Sequence, residues 1–153
     1  MSKTREEDRM MWGKESNGMK SSISILIVDD ESTMRSLLEK ILAREGYQMY
    51  TASNGVEALE HLSERKFDIV ISDMKMPKMG GFELLKHIKK EYPGAGVIIM
   101  TAYGDTYSVK DALLLGADEY ITKPFKSYEI SLVVERAYWR ILSAGQTTAD
   151  QLS

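Results

Sequence analysis

The chain has 153 residues, 43% of them hydrophobic and 28% charged, which fits one domain with a buried core and short tails. A formal net charge of −3 gives no basic footprint for direct nucleic-acid contact or for an anionic membrane surface, and no apolar run approaches the length that spans a bilayer. The absence of cysteine excludes disulfides and thiolate metal sites, and the N-terminal stretch lacks the apolar core of a secretion signal, so the cytoplasm is the expected location.

Residues 1–21 are mixed in charge and read as a flexible extension, with room for one short helical turn up to Trp12. Met10, Met11 and Trp12 are its only apolar cluster. Ile23 to Val28 reads as a first strand ending in Asp29-Asp30-Glu31. Ser32-Thr33 then opens a helix whose Met34, Leu37, Leu38, Ile41 and Leu42 fall at helical spacing, and Gly46 ends it. Gln48 to Ala52 is a second strand, and Asn54-Gly55 turns into a helix carrying Val56, Leu59 and Leu62. Phe67 to Ser72 is a short apolar run closed by Asp73, the signature of a buried parallel strand. A loop from Pro77 to Gly81 leads to a third helix marked by Phe82, Leu85 and Ile88, which stops before Pro93-Gly94. Val97 to Met100 forms a fourth strand ending in Thr101, and Tyr107 to Leu115 a fourth helix with Gly116 as its C-terminal cap. Glu119 to Thr122 is a short fifth strand leading to Lys123-Pro124. The last helix runs from Lys126 to Ser143 with Ile130, Val133, Val134, Ala137 and Ile141 on one face, and residues 145–153 read as a frayed polar tail or the start of a linker. Strand and helix alternate five times, which implies an α/β domain over residues 22–144 with a parallel sheet and helices on both faces.

The strand ends carry the chemistry. Asp29-Asp30, Asp73, Thr101 and Lys123 all follow strands, so a parallel sheet gathers them at one edge, the edge at which such sheets bind ligands. Each alone has an ordinary explanation as a turn residue, a cap or a solvated charge. Three carboxylates brought together repel one another unless a cation intervenes, and an all-oxygen set without His or Cys suits Mg²⁺. A hydroxyl and an ammonium opposite them suit a phosphoryl group, for which an aspartate can act as nucleophile.

Asp29-Asp30, Asp73-Met74-Lys75-Met76-Pro77 with Gly80, Met100-Thr101-Ala102 and Tyr120-Ile121-Thr122-Lys123-Pro124-Phe125 together resemble the receiver domain of two-component response regulators. The wording is similar to receivers of σ54-type, NtrC-like regulators, and it covers about residues 22–143. The resemblance implies a flavodoxin-like, doubly wound sheet of order 2-1-3-4-5. It implies that Asp73 accepts the phosphoryl group and that Asp30, Asp73 and the backbone carbonyl of Lys75 bind Mg²⁺, with Asp29 acting through a water. Lys123 and Thr101 would hold the phosphoryl oxygens, helped by the amides of Lys75 and Ala102, and Lys123-Pro124 would be cis. Thr101 and Tyr120 would form the switch, while Lys75 and Tyr103 would border the path of hydrolytic water and set a slow loss of phosphate. A sensor histidine kinase is the implied partner, and a phosphorylation-dependent homodimer would use the fourth helix, fifth strand and last helix.

Two other classes are open to a sheet with such an edge. An aspartyl-phosphate hydrolase of the haloacid dehalogenase type needs its nucleophile and acid two residues apart followed by Gly-Thr, and Asp29-Asp30-Glu31-Ser32-Thr33 does not supply them. A nucleotide or flavin binder needs a glycine-rich phosphate loop, and none is present. A receiver that signals without phosphate is the remaining rival, and the intact acceptor set argues against it. No output domain follows Ser143, so a free-standing receiver and a piece of a longer regulator are both expected possibilities.

Overall fold

The computed structural model describes residues 20–102 and 109–152, with 109 and 144–152 described by backbone alone. The anticipated turn up to Trp12, the Met10-Met11-Trp12 cluster, Tyr103 and Tyr107 lie outside the described residues. Five parallel strands, β1 (Ser24–Val28), β2 (Gln48–Ala52), β3 (Ile69–Asp73), β4 (Gly96–Ala102) and β5 (Glu119–Lys123), form one sheet in the order β2-β1-β3-β4-β5. This is the doubly wound order 2-1-3-4-5. The helices are α1 (Ser32–Arg44), α2 (Gly55–Glu64), α3 (Gly81–Glu91), α4 (Val109–Leu114) and α5 (Ser127–Leu152).

Because side chains alternate across a strand, each strand feeds two cores. Ile25 and Ile27 of β1, Ile69 and Ile71 of β3, and Ile98 and Met100 of β4 meet Leu38 and Leu42 of α1 and Ile130, Val134 and Ala137 of α5. The residues between them, Leu26, Val28, Val70, Val97 and Ile99, meet Ala58 and Leu62 of α2, Leu84, Leu85 and Ile88 of α3 and Ala112 of α4. Both faces of the three central strands are thus covered, which explains why they read as unbroken apolar runs.

Several boundaries differ from the sequence reading. Phe67 is buried but precedes β3, and β4 starts at Gly96 and reaches Ala102. Leu37 is 46% exposed and Val56 43% exposed, so neither belongs to a core face. Leu38 with Leu42, and Ala58 with Leu62, already fill the i, i+4 ridge that faces the sheet. Leu84, by contrast, is fully buried beside Leu85. The last helix does not stop near Ser143 but continues to Leu152. Gly46 and Gly116, the expected helix stops, have φ of 105° and 99°, a conformation that side chains disfavour. Among the described residues no helix is long and apolar enough to cross a membrane.

Candidate functional site

The sheet register sets the positions of the acidic residues. β1 and β3 pair Ile27 with Ile71 and Val28 with Ser72, so Asp29 and Asp73 come abreast just beyond that ladder and share the face that carries Ile27 and Ile71. Asp29, Asp30 and Asp73 each offer a carboxylate oxygen within 4.8 Å of the others, the only such group among the described residues. Asp29 is fully buried, Asp73 is 9% exposed and Asp30 is open to solvent. On the far side β4 and β5 pair Ala102 with Lys123, which places Lys123 higher on the edge than Asp73, whose partner on β4 is Met100. Its long stem spans that offset. The Lys123 ammonium lies 3.0 Å from Oδ2 of Asp29 and 3.4 Å from Oδ1 of Asp73.

Backbone groups hold both buried carboxylates. Asp29 Oδ1 accepts the amide of Glu31 at 2.9 Å, an Asx turn that redirects the chain into α1, whose N-cap Glu31 makes no side-chain cap of its own. Asp73 Oδ1 accepts the amide of Met74 at 2.9 Å. Burial is the main force on Asp73: it pushes the carboxyl up to about 6, Asp29 adds repulsion, and the Lys123 charge opposes both. For Lys123, burial works to lower the ammonium's pKa. The hydrogen bond that Lys123 donates to Asp29 and the charges of Asp73 and Asp29 outweigh it and leave the pKa above its usual value.

One ammonium facing three carboxylates leaves the site short of positive charge. An all-oxygen donor set with no His or Cys, clustered within 4.8 Å, fits a hard divalent cation such as Mg²⁺.

A family model described as the response regulator receiver domain matches residues 25–135. The chain belongs to the receiver-domain family of two-component response regulators. This receiver is 43% identical over 113 residues to the DNA-binding transcriptional regulator NtrC of Escherichia coli strain K12, a match covering 74% of this chain and 24% of that protein. It is 42% identical over 112 residues to the sporulation initiation phosphotransferase F of Bacillus subtilis strain 168, covering 73% of this chain and 90% of that one. A crystal structure of a response regulator receiver domain protein from Clostridium thermocellum superposes with a TM-score of 0.73 at 38% identity, covering 77% of this chain and 95% of the other. The chain thus spans about a quarter of NtrC and most of the sporulation initiation phosphotransferase F.

The receiver fold brings Asp29, Asp30, Asp73 and Lys123 together, and Lys123-Pro124 is cis. Thr101 is buried at the adjoining strand end, with its hydroxyl directed to β5: it lies 3.5 Å from the Ile121 carbonyl and 3.4 Å from the Thr122 hydroxyl. Tyr120 is 39% exposed. Lys75 follows β3 at the mouth of the site and is exposed.

Two features escaped the sequence reading. Of the glycine pair, Gly81 and not Gly80 is the one the geometry needs. A Cβ at Gly81 would overlap the Asp73 carbonyl oxygen and come within 2.9 Å of the Met74 Cα, whereas one at Gly80 would meet nothing closer than 3.4 Å. Adjacent glycines look alike until the backbone that crosses them is known. The second is Arg35, whose Nη1 donates to the Asp29 carbonyl at 2.7 Å. An Arg in the first turns of a helix reads as a solvated charge, and nothing in the sequence marks the carbonyl it meets.

Proposed function

We propose that this receiver accepts a phosphoryl group from a sensor histidine kinase onto Asp73 in a Mg²⁺-dependent reaction, and that the aspartyl phosphate shifts its interaction surface. The observation that carries the reading is Lys123: its ammonium sits between Asp29 and Asp73, where it can exchange a carboxylate for a phosphoryl oxygen without crossing the site.

In the transfer step an oxygen lone pair of Asp73 attacks the donor phosphorus. The phosphorus–nitrogen bond of the phosphohistidine breaks, and its electron pair returns to the imidazole, which takes a proton from solvent. The Met74 amide and the Lys123 ammonium both meet Oδ1 of Asp73, so the carboxylate is oriented before the donor arrives. Asp30, Asp73 and the Lys75 carbonyl would hold Mg²⁺, with Asp29 acting through a water, and the ion would supply positive charge to offset that of the phosphoryl oxygens. Burial of Asp29 keeps its charge undiluted by solvent, and that charge tethers Lys123 at the reacting edge.

The response begins at Thr101. Its two contacts with β5 lie at the long limit of hydrogen bonding, so a charged phosphoryl oxygen offers a stronger partner. Movement of Thr101 toward Asp73 frees space for the exposed Tyr120, and the face formed by α4, β5 and α5 changes shape. Leu113 and Leu114, 48% and 74% exposed on α4, make that face suited to a phosphorylation-dependent homodimer. Phosphate loss is slow, because the Lys75 ammonium only donates hydrogen bonds and Tyr103 is bulky, so neither orients an attacking water. The domain works in the cytoplasm without contacting nucleic acid itself.

Incubation with a phosphorylated histidine kinase and Mg²⁺ tests the transfer. The wild type should take one phosphoryl group, and EDTA or Asp73→Asn should abolish it. Equal labelling of Asp73→Asn, or labelling indifferent to EDTA, contradicts the mechanism.

A further inference from the structure

Asp29 has every polar group engaged. Its amide donates to the Ala52 carbonyl at 3.1 Å, Oδ1 accepts from the Glu31 amide and Oδ2 from Lys123, and its carbonyl accepts from Arg35 Nη1 at 2.7 Å. The Ala52 carbonyl belongs to the sheet, the Glu31 amide to the helix entry and Lys123 to the reacting edge. Arg35 has no such role. It lies on α1, one turn beyond the N-cap, where its amide donates to the Glu31 carbonyl and its side chain reaches back to the strand end.

The Asp29 carbonyl and the Asp30 amide are the two edges of one rigid peptide plane. Fixing the carbonyl therefore fixes the start of Asp30. Asp30 is exposed, so no packing holds its side chain, and the peptide plane behind it sets where its Cα stands and from where its carboxylate reaches toward Asp73. We propose that Arg35 is a positioning residue for the cation site: by clamping the Asp29 carbonyl it orients the Asp29-Asp30 peptide and thereby holds Asp30 in register with Asp73. The inference rests on the Mg²⁺-dependent reading of the site given above.

The sign of the effect separates positioning from plain electrostatics. A guanidinium near a divalent cation repels it, so loss of the Arg35 charge alone would tighten Mg²⁺ binding. Loss of a clamp weakens it, as removal of groups that orient metal ligands does in other sites, by about tenfold or more. Arg35→Met removes charge and donor at similar length, whereas Arg35→Lys retains both.

The test is calorimetric titration of the purified, folded chain with Mg²⁺ alone, followed by the Mg²⁺ dependence of labelling by acetyl phosphate. Arg35→Met should bind Mg²⁺ about tenfold more weakly and need correspondingly more Mg²⁺, with the rate at saturating Mg²⁺ within about twofold of wild type, and Arg35→Lys should recover most of the affinity. Affinity in Arg35→Met equal to or tighter than wild type overturns the proposal, as does an Arg35→Lys variant no better than Arg35→Met. If the wild type itself binds no Mg²⁺, the reading of the site fails before Arg35 is in question.

Discussion

The backbone of Gly81 passes so close to Asp73 that a methyl group at position 81 would overlap the Asp73 carbonyl oxygen, and the Gly81 amide donates to the Met74 carbonyl at 2.9 Å. The start of α3 is thus pressed against the end of β3, and the loop carrying Lys75 is closed at both ends. Gly81→Ala should cost about 1–3 kcal/mol, because the atoms it would meet are backbone and cannot rotate away. Gly80→Ala, whose φ is −76° and whose nearest neighbour is 3.4 Å away, should cost under about 1 kcal/mol. Urea unfolding of the two variants checks this; equal losses would show that the close approach does not constrain the loop.

At the start of α2, Asn54 accepts the Glu57 amide at 2.9 Å while Glu57 Oε2 accepts from the Ser53 hydroxyl at 2.6 Å and the Ser53 amide at 3.1 Å. Asn54→Ala should lose about 1 kcal/mol. The Ser53 side-chain hydrogen bond, ahead of the one from its backbone, holds Glu57 below its ordinary pKa of 4.5. A depressed carboxylate binds fewer protons folded than unfolded, so its contribution is complete above pH 4.5 and is lost as pH falls through the lowered folded value. Glu57→Gln should flatten the acid limb of the stability curve, and an unchanged limb would contradict the assignment.

Asp73 is costly to the fold in the absence of a cation, since burial and Asp29 both disfavour its charge. Asp73→Asn should therefore raise stability in EDTA at neutral pH by about 1–2 kcal/mol, with the advantage shrinking when Mg²⁺ is added. Thermal or denaturant unfolding decides the sign. A destabilised variant would mean that Lys123 gains more from Asp73 than Asp73 loses to burial.

The central strand ends were legible because a parallel sheet leaves little freedom: strands buried on both faces are apolar throughout, so Asp29, Asp73 and Thr101 stand out where the apolar run stops, whereas Lys123 closes the half-exposed edge strand β5 and is marked only by its place at the same edge. Helix faces were less legible. Leu37 and Val56 satisfy helical spacing yet point to solvent, because spacing restricts a residue to a stripe and only packing decides which edge of the stripe meets the sheet. Arg35 and Gly81 were invisible for a related reason: both act on a backbone carbonyl, and the sequence does not mark which carbonyl a distant residue will meet.

Thr101→Val should leave phosphoryl uptake by Asp73 nearly intact while weakening its consequence. Moving a two-state protein from almost wholly inactive to almost wholly active takes about 5.5 kcal/mol, and one hydrogen bond to a charged group supplies about 1.5–3 kcal/mol of it. Sedimentation and amide exchange over α4 and β5, with and without beryllofluoride, should show a reduced response in the variant. A full response would place the switch elsewhere.

The most direct measurement is to label the protein with acetyl phosphate and Mg²⁺, treat it with hydroxylamine and locate the resulting aspartyl hydroxamate by peptide mass. The expected product lies at Asp73 alone and is absent when EDTA is present. A hydroxamate at Asp29 or Asp30, or a stable phosphate that hydroxylamine leaves in place, would contradict the assignment of Asp73 as the acceptor.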